Sequence, residues 1–379
     1  MIYLDNSATT AVNNEVMDTF MRVNEKFWGN PNSLHSFGAL AEQVLIKSSR
    51  QVLDLLNANN HQAIFTSGAT ESNNLAIKGV AMEYKSRGNH IITTKIEHPS
   101  VYEVCKDLES KGFEITYLDV SLPSEQIVKQ LEEQITSETI LVSCMHVNSE
   151  MGLVLPIEEL GNVVKQYPKI KFHVDAVQSI GKLDVNVDAM NIDLLSISAH
   201  KIHGTKGVGA LIVRRNLKLT PQTLGGGQMD GLRSGTVNVA GSAMLARAMR
   251  LLIENIEENS KRIQLLYDYT MKKLVDIDGL TCNNVFDNQS PYIINFWLKG
   301  IKGETLVHAL ASHEIYISAK SACSSKTKKA SAVLLALGID EVAATESVRV
   351  SFSHLSTLEE VDVFLKALKE AVVSINSNS

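Results

Sequence analysis

The feature that most constrains the fold is an alternation of short apolar runs with amphipathic stretches over the first two-thirds of the chain. Each apolar run is rich in β-branched residues and ends in turn or polar residues, which is typical of a buried strand. The predicted strands are residues 63–68, 90–96, 140–147, 170–176 and 193–200. The predicted helices between them include 71–87, 101–111 and 157–166. This order predicts an α/β fold with a mostly parallel sheet covered by helices on both faces.

The pattern changes in the last third of the chain. A helical pattern over residues 240–273 follows the glycine-rich LGGGQMDGLRSGT, and we expect one long helix there that bridges two domains. Further strands are predicted at 292–298, 315–319 and 347–353, and further helices at 304–313, 331–337 and 357–374. We therefore predict a large α/β domain over residues 15–255. Residues 1–14 and 256–379 would form a smaller α+β domain.

Composition and charge narrow the classes of function. Of the 379 residues, 44% are apolar and 21% charged, as in globular proteins with a full core, and the net charge of -6 argues against nucleic acid as a direct partner. The N-terminus MIYLDNSATT lacks the regions of a signal peptide. No apolar run approaches the roughly 18 residues that span a bilayer. We expect a cytoplasmic protein with no membrane partner.

The four cysteines are widely spaced and include no C-x-x-C pair, so we expect neither a disulfide framework nor a structural zinc site. Cys105 and Cys144 lie in predicted secondary structure and are expected to be buried, while Cys282 has no partner pattern. Cys323 differs, because it lies in the open, basic segment SAKSACSSKTKKAS. The lysines of this segment are Lys320, Lys326, Lys328 and Lys329. Since nearby cations lower the pKa of an exposed thiol, Cys323 is a candidate nucleophile.

Polar residues at the carboxyl ends of the strands are candidates for ligand binding, because open parallel sheets bind ligands at that edge. TSGATESNN, residues 66–74, joins a predicted strand to a predicted helix through small residues. This arrangement suits a phosphate group, although an ordinary N-cap would look the same. Asp175 ends another strand, with Gln178 shortly after it. Asp175 is either a buried acceptor or an ordinary turn residue.

Lys201 follows an apolar strand directly, in SISAHKIHGTKGVGAL, where an unpaired ammonium would be costly to bury. Such a lysine either binds a phosphate or forms a Schiff base with a carbonyl cofactor. Gly207 follows Lys206, so the P-loop pattern is absent. His200 and His203 have no carboxylate or cysteine nearby, and we expect no metal site. A lysine, a strand-end aspartate and a phosphate turn together match the needs of pyridoxal 5'-phosphate (PLP).

A set of motifs distributed along nearly the whole chain supports this interpretation. In order they are YLDNSATT, GNPNSLHSFG, FTSGATESNNLAIKG, IEHPSV, MHVNSEMG, HVDAVQSIGKL, SAHKIHGTKGVGAL, GGGQMDGLRSGT, SACSS and SVRVSFS. With these motifs the chain resembles the NifS/IscS-like cysteine desulfurases, in the class V aminotransferase branch of the fold-type I PLP enzymes. The resemblance implies a seven-stranded type of sheet in the large domain and a catalytic cysteine loop in the small one.

The resemblance also implies roles for individual residues. Lys201 would form the Schiff base with PLP, Asp175 would pair with the pyridine nitrogen, and Gln178 would hydrogen-bond the ring hydroxyl. His98, in IEHPS, would stack on the ring and assist proton transfer. The implied phosphate ligands are Thr70, Ser198 and His200, with Thr236 of the partner subunit of a homodimer, and Ala69 is implied to bind the cofactor. The implied ligands of the substrate are Asn30, Asn148 and Arg349, with the arginine on its carboxylate. Taken alone, His98 could be an ordinary histidine and Arg349 an ordinary charge on a strand surface.

The activity implied by the resemblance is the conversion of L-cysteine to L-alanine. Lys201 would remove the Cα proton while PLP accepts electrons, and the Cys323 thiolate would attack the substrate sulfur to give a persulfide. The sulfur would pass to an acceptor protein, for iron–sulfur cluster assembly or tRNA thiolation. The lysines around Cys323 would either favour an acidic acceptor or simply solvate the loop. Many members of the family have glycine where this chain has Lys320, which puts the mobility of the loop in question.

Two other classes of function remain open. One is a different PLP reaction on the same scaffold, either selenocysteine cleavage or transamination. The other is an interaction protein without catalysis that has retained the fold, against which Lys201 argues. Replacement of Cys323 distinguishes the first alternative, and the absence of a yellow colour in the purified protein would support the second.

Overall fold

The structure is a computed structural model that describes residues 1–319 and 330–377. Cys323 and the four lysines around it lie outside the described residues. The strands are β1 (Ile2–Tyr3), β2 (His61–Thr66), β3 (His90–Thr94), β4 (Glu114–Leu118), β5 (Thr139–Met145), β6 (Lys171–Asp175), β7 (Leu194–Ser198), β8 (Gly209–Arg214), β9 (Leu280–Cys282), β10 (Ile293–Leu298), β11 (Ile315–Tyr316) and β12 (Ser347–Ser351). The α-helices are α1 (Asn14–Lys26), α2 (Ser36–Leu55), α3 (Ala69–Glu83), α4 (Pro99–Glu109), α5 (Ser124–Gln134), α6 (Ile157–Val164), α7 (Val239–Ile253), α8 (Ile256–Leu274), α9 (Gly303–Ala311), α10 (Ala332–Ala336), α11 (Glu341–Glu346) and α12 (Leu358–Ser377).

The larger of two compact units comprises Ala11–His146 and Leu155–Asn255. It holds a seven-stranded sheet with the strand order β2-β8-β7-β6-β5-β3-β4. The strands β7, β6, β5, β3 and β4 pair in parallel, whereas β8 is antiparallel to both of its neighbours. The predicted α/β fold with a mostly parallel sheet is therefore confirmed. Because β8 reverses direction between β7 and β2, the carboxyl end of β2 lies at the same edge as the ends of the parallel strands.

Helices cover both faces of this sheet. On one face α3 and α4 bury apolar side chains such as Leu75 and Val101 against Leu141. Val142 and Phe172 are neighbours in the register of β5 and β6 and point to the opposite face, since side chains alternate along a strand. Phe172 approaches Gly161 of α6 there. Both faces are therefore buried, as the apolar runs of these strands predict.

The smaller unit comprises Met1–Thr10, Val147–Val154 and the described part of Ile256–Ser379. It contains an antiparallel sheet, β12-β10-β9, and the parallel pair β1-β11. One apolar core joins this sheet to α8, α9 and α12 through residues such as Phe296, Leu306 and Phe364. The segment Val147–Val154 lies within the predicted bounds of the large domain but belongs to the smaller unit. The bridge between Leu153 and Gln289 attaches it there.

The prediction of one long helix over residues 240–273 is wrong, since α7 and α8 are separate helices. The backbone N–H of Asn255 bonds to the carbonyl of Leu252 at 3.3 Å, and its side-chain Nδ2 donates to the carbonyl of Leu251 at 2.9 Å. An asparagine that bonds to the backbone in this way competes with helix propagation. The apolar pattern continues across the break, so periodicity alone did not reveal it.

None of the helices in residues 1–319 and 330–377 is long and apolar enough to cross a membrane. Within the same ranges, no group of three or more histidine, cysteine or acidic side chains is arranged to hold a metal ion.

Candidate active site

The larger unit brings most of the predicted site residues to one edge of its sheet. Ala69 and Thr70 follow β2, His98 follows β3, Asp175 ends β6, and Ser198 ends β7. Gln178, His200 and Lys201 come shortly after these last two strands. Since β6 and β7 are neighbours, with Asp175 beside Ser196 in the register, the polar residues that follow them share the same stretch of the edge.

The turn between β2 and α3 carries the predicted cofactor-binding residues Ala69 and Thr70. The helix begins at Ala69, and its N-cap is Gly68, which supplies no side-chain hydrogen bond. No side-chain oxygen of the N-cap residue therefore accepts from the first N–H groups of this helix. A Cβ added to Gly68 would lie 3.8 Å from Ser198 Oγ, so the end of β7 lies next to this turn. The N-terminus of a 15-residue helix and a serine hydroxyl are thus placed side by side, as anion binding requires.

The side chain of Glu71 stabilises the same turn through two hydrogen bonds. Its Oε2 accepts the N–H of Ser67 at 2.7 Å, and its Oε1 accepts a hydrogen bond from Arg233 Nε at 2.8 Å. Burial raises the pKa of Glu71, but the hydrogen bonds from Arg233 and Ser67 outweigh it and lower the pKa below its usual value. The ionised carboxylate therefore ties the glycine-rich segment before α7 to the start of α3.

Asp175 is 6% exposed at the end of β6. Its Oδ2 accepts a hydrogen bond from Asn73 Nδ2 at 2.8 Å, and its Oδ1 accepts the N–H of Val177 at 3.1 Å. Both donors are neutral, and within the part of the chain that the structure describes Asp175 forms no ion pair. A buried carboxylate that receives only neutral donors is costly, and a cation beside it would lower that cost.

Two polar side chains connect His98 to Asp175. Asn73 Nδ2 also lies 2.9 Å from Ser100 Oγ, which in turn lies 2.8 Å from His98 Nδ1. The backbone N–H of Ser100 donates to the same Nδ1 at 3.1 Å, so His98 is the N-cap of α4. Because Nδ1 accepts this bond, a neutral His98 carries its proton on Nε2.

Lys201 ends a single 3-10 turn, Ala199–Lys201, directly after β7. The backbone N–H groups of Ala199 and Gly204 fix this turn by bonding to Val208 and Ala199 carbonyls, at 3.0 and 2.9 Å. Burial, followed by the charge of Lys201, lowers the pKa of His200 to about 4, which keeps the imidazole neutral.

Glu97 precedes His98 and is buried. Its Oε1 accepts hydrogen bonds from Thr94 Oγ1 at 2.8 Å and from the N–H of Met145 at 2.9 Å, which joins the end of β3 to the end of β5. Burial raises the pKa of Glu97 to about 8, although the bonds from Met145 and Thr94 lower it, and the charge of Asp175 raises it further. Glu97 is therefore mostly protonated at neutral pH and holds the turn that carries His98.

Asn30 and Thr236 lie on exposed connections of the larger unit, the first between α1 and α2 and the second before α7. The side chain of Asn30 accepts the N–H of Asn32 at 3.0 Å and closes its own turn.

Arg349 and Asn148 belong to the smaller unit. Arg349 is 1% exposed, so its interpretation as an ordinary strand-surface charge is wrong. Its Nη1 donates to the carbonyl of Ser149 at 2.8 Å and its Nη2 to Asp5 Oδ1, while its buried Nε has no partner among the described residues. Asn148 Oδ1 accepts the N–H groups of Glu150 and Met151 at 2.9 and 2.8 Å.

The three cysteines that the structure describes are protonated thiols. Cys105 and Cys144 are fully buried, as predicted, and Cys282 is half-buried. Burial raises the pKa of Cys105 to about 12 and of Cys282 to about 11, and raises the pKa of Cys144 well above its usual value.

Several polar residues of the site were not predicted from the sequence. Asn73, Ser100 and Glu97 each lie within four residues of a predicted site residue, and Asn73 is a polar residue on the buried face of α3. A polar residue at a buried position of a predicted helix was the one sequence signal that could have indicated Asn73. Asp5 is separated from Arg349 by 344 positions, and nothing local indicates the pair.

Comparison with known proteins gives consistent matches over nearly the full length. The model of the family described as aminotransferase class-V matches residues 2–364. A NifS/IcsS protein homolog of Lactobacillus delbrueckii subsp. bulgaricus is 42% identical over 98% of this chain and 97% of its own. The mitochondrial cysteine desulfurase of Eremothecium gossypii is also 42% identical, over 98% of this chain and 76% of its own. A solved structure of a NifS-like protein superposes with a TM-score of 0.91 at 35% identity and covers 99% of both chains.

The buried acid Glu97 predicts a specific dependence of stability on pH. Its raised pKa means that folding favours its protonated form, so its contribution is complete below the pKa of the unfolded state and is lost as pH rises to about 8. In Glu97→Gln, the free energy of unfolding, measured by urea titration, should lack this decline of roughly 1.4 kcal/mol per pH unit between about pH 5 and 8. The variant Glu109→Gln, on the exposed end of α4, is the control and should keep the decline. Equal slopes in Glu97→Gln and the native protein would contradict the assignment.

Proposed function

Since the chain belongs to the aminotransferase class-V family and to its NifS-like cysteine desulfurases, we propose that it converts L-cysteine to L-alanine with PLP and passes the sulfur to Cys323. The observation that carries this proposal is the buried Asp175 carboxylate, held by the neutral donors Asn73 and Val177. It lies at the sheet edge where Lys201 follows the neighbouring strand.

The residues at this edge suit PLP in three respects. Asp175 is an anion in need of a cation, which the pyridinium nitrogen would provide. The start of α3 with Ser198 and the neutral His200 offers donors to a phosphate. Lys201 supplies the amine for the cofactor aldehyde, and His98 is oriented by Ser100. When bound, PLP withdraws electrons from the substrate Cα.

The residues of the chain would then carry out the proton and sulfur transfers. Lys201 Nζ takes the proton from the substrate Cα. The thiolate of Cys323 attacks the substrate sulfur, so that an S–S bond forms while the Cβ–S bond breaks. The carbon fragment keeps the bonding electrons and gains one proton at Cβ, and Lys201 returns a proton to Cα, which gives alanine, while Cys323 becomes a persulfide. No external oxidant or reductant is needed.

The other cysteines support the choice of Cys323 as the nucleophile. Since burial holds the thiols of Cys105, Cys144 and Cys282 in the protonated form, none of them supplies a thiolate at neutral pH. Cys323, which lies outside the described residues, is the remaining cysteine of the chain and has a basic sequence around it.

A comparison of two cysteine variants tests the proposal. With PLP and L-cysteine, the native protein should release alanine and form a persulfide, both measured by mass spectrometry. Cys323→Ala should retain bound PLP and lose both products by about 100-fold or more, as expected when a covalent nucleophile is removed. Cys282→Ala, the matched control, should behave like the native protein.

Two results would redirect the assignment. If Cys323→Ala still released alanine from selenocysteine, the enzyme would be a selenocysteine lyase. If the native protein bound no PLP and remained colourless, the desulfurase proposal would fail and a role without catalysis would be favoured.

Arg349 is proposed to bind the carboxylate of cysteine. The contacts with Asp5 and the carbonyl of Ser149 fix the plane of its guanidinium, and the buried Nε–H is a donor to which no described residue provides an acceptor. A fixed guanidinium favours bidentate binding of a carboxylate, because the two acceptor oxygens match its N–H pairs.

Substitution of Arg349 by lysine should therefore act on substrate binding. We expect Arg349→Lys to raise the KM for L-cysteine about 10-fold or more with a smaller change in kcat, because lysine is a point charge without the planar fork. Steady-state alanine release measures this, and Arg262→Lys in the same unit is the control. An unchanged KM for Arg349→Lys would exclude a role in binding the carboxylate.

We further propose a homodimer formed by the larger unit and a sulfur-acceptor protein as partner, for iron–sulfur cluster assembly or tRNA thiolation. Apolar side chains on α2 and the connection before it support self-association, since Trp28 is 72% exposed, Ile46 is 58% exposed and Leu34 is fully exposed. Thr236, exposed before α7, would reach the phosphate of the partner's site. The cytoplasmic location stays a prediction.

A charge placed on this surface should disrupt the dimer. Light scattering with size-exclusion chromatography should give the mass of a dimer for the native protein and a larger monomer fraction for Ile46→Glu, because burying an unpaired carboxylate is costly. Val275→Glu introduces the same charge at a 75% exposed position of the smaller unit and should leave the dimer intact. Equal masses for the two variants would place the interface elsewhere.

A further inference from the structure

The segment after β6 contains a buried lysine to which the mechanism above assigns no role. Lys182 is 8% exposed, and its Nζ donates a hydrogen bond to Gln178 Oε1 at 2.9 Å. Gln178 is 5% exposed and comes three residues after Asp175. Lysines are seldom buried to this extent, because removing an ammonium from water is costly unless it gains strong partners.

The backbone holds these two side chains in a defined relation. The N–H groups of Ser179 and Ile180 bond to the carbonyl of Ala176, and those of Lys182 and Leu183 bond to the carbonyl of Ser179. These tight turns bring residues four apart to the same side. Gly181 has a φ of 71°, and a Cβ at that position would lie 2.7 Å from Leu252, so the segment is packed closely against α7.

The chemistry of the pair determines the orientation of the Gln178 amide. The oxygen and nitrogen of a glutamine amide have similar shapes, so orientation is set by the hydrogen-bond partners. An ammonium has only donors. The amide atom bonded to Lys182 must therefore be the oxygen, and the other end of the amide is an NH2 group that donates.

From this contact we infer that Lys182 is a positioning residue that locks Gln178 with its NH2 group toward the cofactor ring. The inference rests on the proposed function and on the role that the family resemblance implies for Gln178, a hydrogen bond to the ring hydroxyl of PLP. A donor at that oxygen favours its deprotonated, negatively charged form, whereas an amide turned the other way would place an oxygen there and favour the neutral hydroxyl. Lys182 thus selects the ionisation state of the ring oxygen without touching the cofactor.

Spectroscopy of the holoenzyme tests the inference independently of turnover. The visible absorption of bound PLP depends on protonation, so its pH midpoint reports the stabilisation of the anionic form. Lys182→Met keeps the length of the side chain and removes the donor. Loss of one hydrogen bond should raise the midpoint by about 0.4–1 pH unit and weaken PLP binding about 2- to 10-fold. The exposed substitution Lys165→Met should leave both values unchanged.

The outcomes separate this inference from the proposed function. A merely structural Lys182 would lower the melting temperature of Lys182→Met while the midpoint stayed at the native value, and that result would overturn the inference alone. A native protein that takes up no PLP would overturn both. If Lys182→Met does not fold, Lys182→Leu replaces it: since this side chain also removes the donor, the same upward shift of about 0.4–1 pH unit is expected, and a midpoint at the native value would overturn the inference.

Discussion

The burial of the Asp175 carboxylate is the constraint on which the rest of the site depends. A carboxylate at the end of a central strand with only neutral donors is costly, and the chain meets that cost with Asn73 from α3 and the N–H of Val177. Asn73 binds Ser100 as well, and Ser100 orients His98. The side-chain amide of Asn73 therefore links the Asp175 carboxylate, through Ser100, to His98, although Asp175 and His98 lie 77 positions apart in the sequence.

Neutral and charged groups are sorted along this edge by burial and by hydrogen bonds. Glu71 is ionised, because Arg233 and Ser67 donate to it, whereas Glu97 is held protonated by burial and by the negative charge of Asp175. His200 is neutral beside Lys201 for the same reason of desolvation. Among the described residues, the edge thus offers donors where an anion would bind and, at Asp175, a carboxylate with neutral donors alone, where a cation would bind.

In the smaller unit, too, a buried charged side chain is held by partners from other segments: Arg349 forms an ion pair with Asp5. Arg349 is fully buried on β12, and Asp5, from the first residues of the chain, compensates its charge. Both the N-terminal ten residues and Val147–Val154 belong to this unit, so its arginine is held by segments from distant parts of the sequence. Such an arrangement keeps a guanidinium rigid, which long exposed side chains do not achieve.

The parts of the fold and of the site that the sequence predicts are those that depend on interactions between neighbouring residues. Apolar runs reveal β2, β3, β5, β6 and β7, because both faces of these strands are buried. The strand β4, at an edge of the sheet and partly exposed, has a weaker pattern, and β8 begins within glycines. Motif order was enough to identify the family. Neither the apolar pattern nor the order of the motifs indicated the break between α7 and α8. The same is true of the hydrogen-bond partners of Asp175 and Arg349.

By itself the sequence determined the α/β class, the family, and the identity of the residues at the strand ends, since strand periodicity and motif spacing are properties of neighbouring residues. Only the tertiary structure decided that Asp175 is buried against Asn73, that Arg349 pairs with Asp5, that burial raises the pKa of Glu97 and that the buried Lys182 donates a hydrogen bond to Gln178. These facts depend on burial and on hydrogen-bond partners, most of them supplied by other segments, and sequence spacing does not encode either.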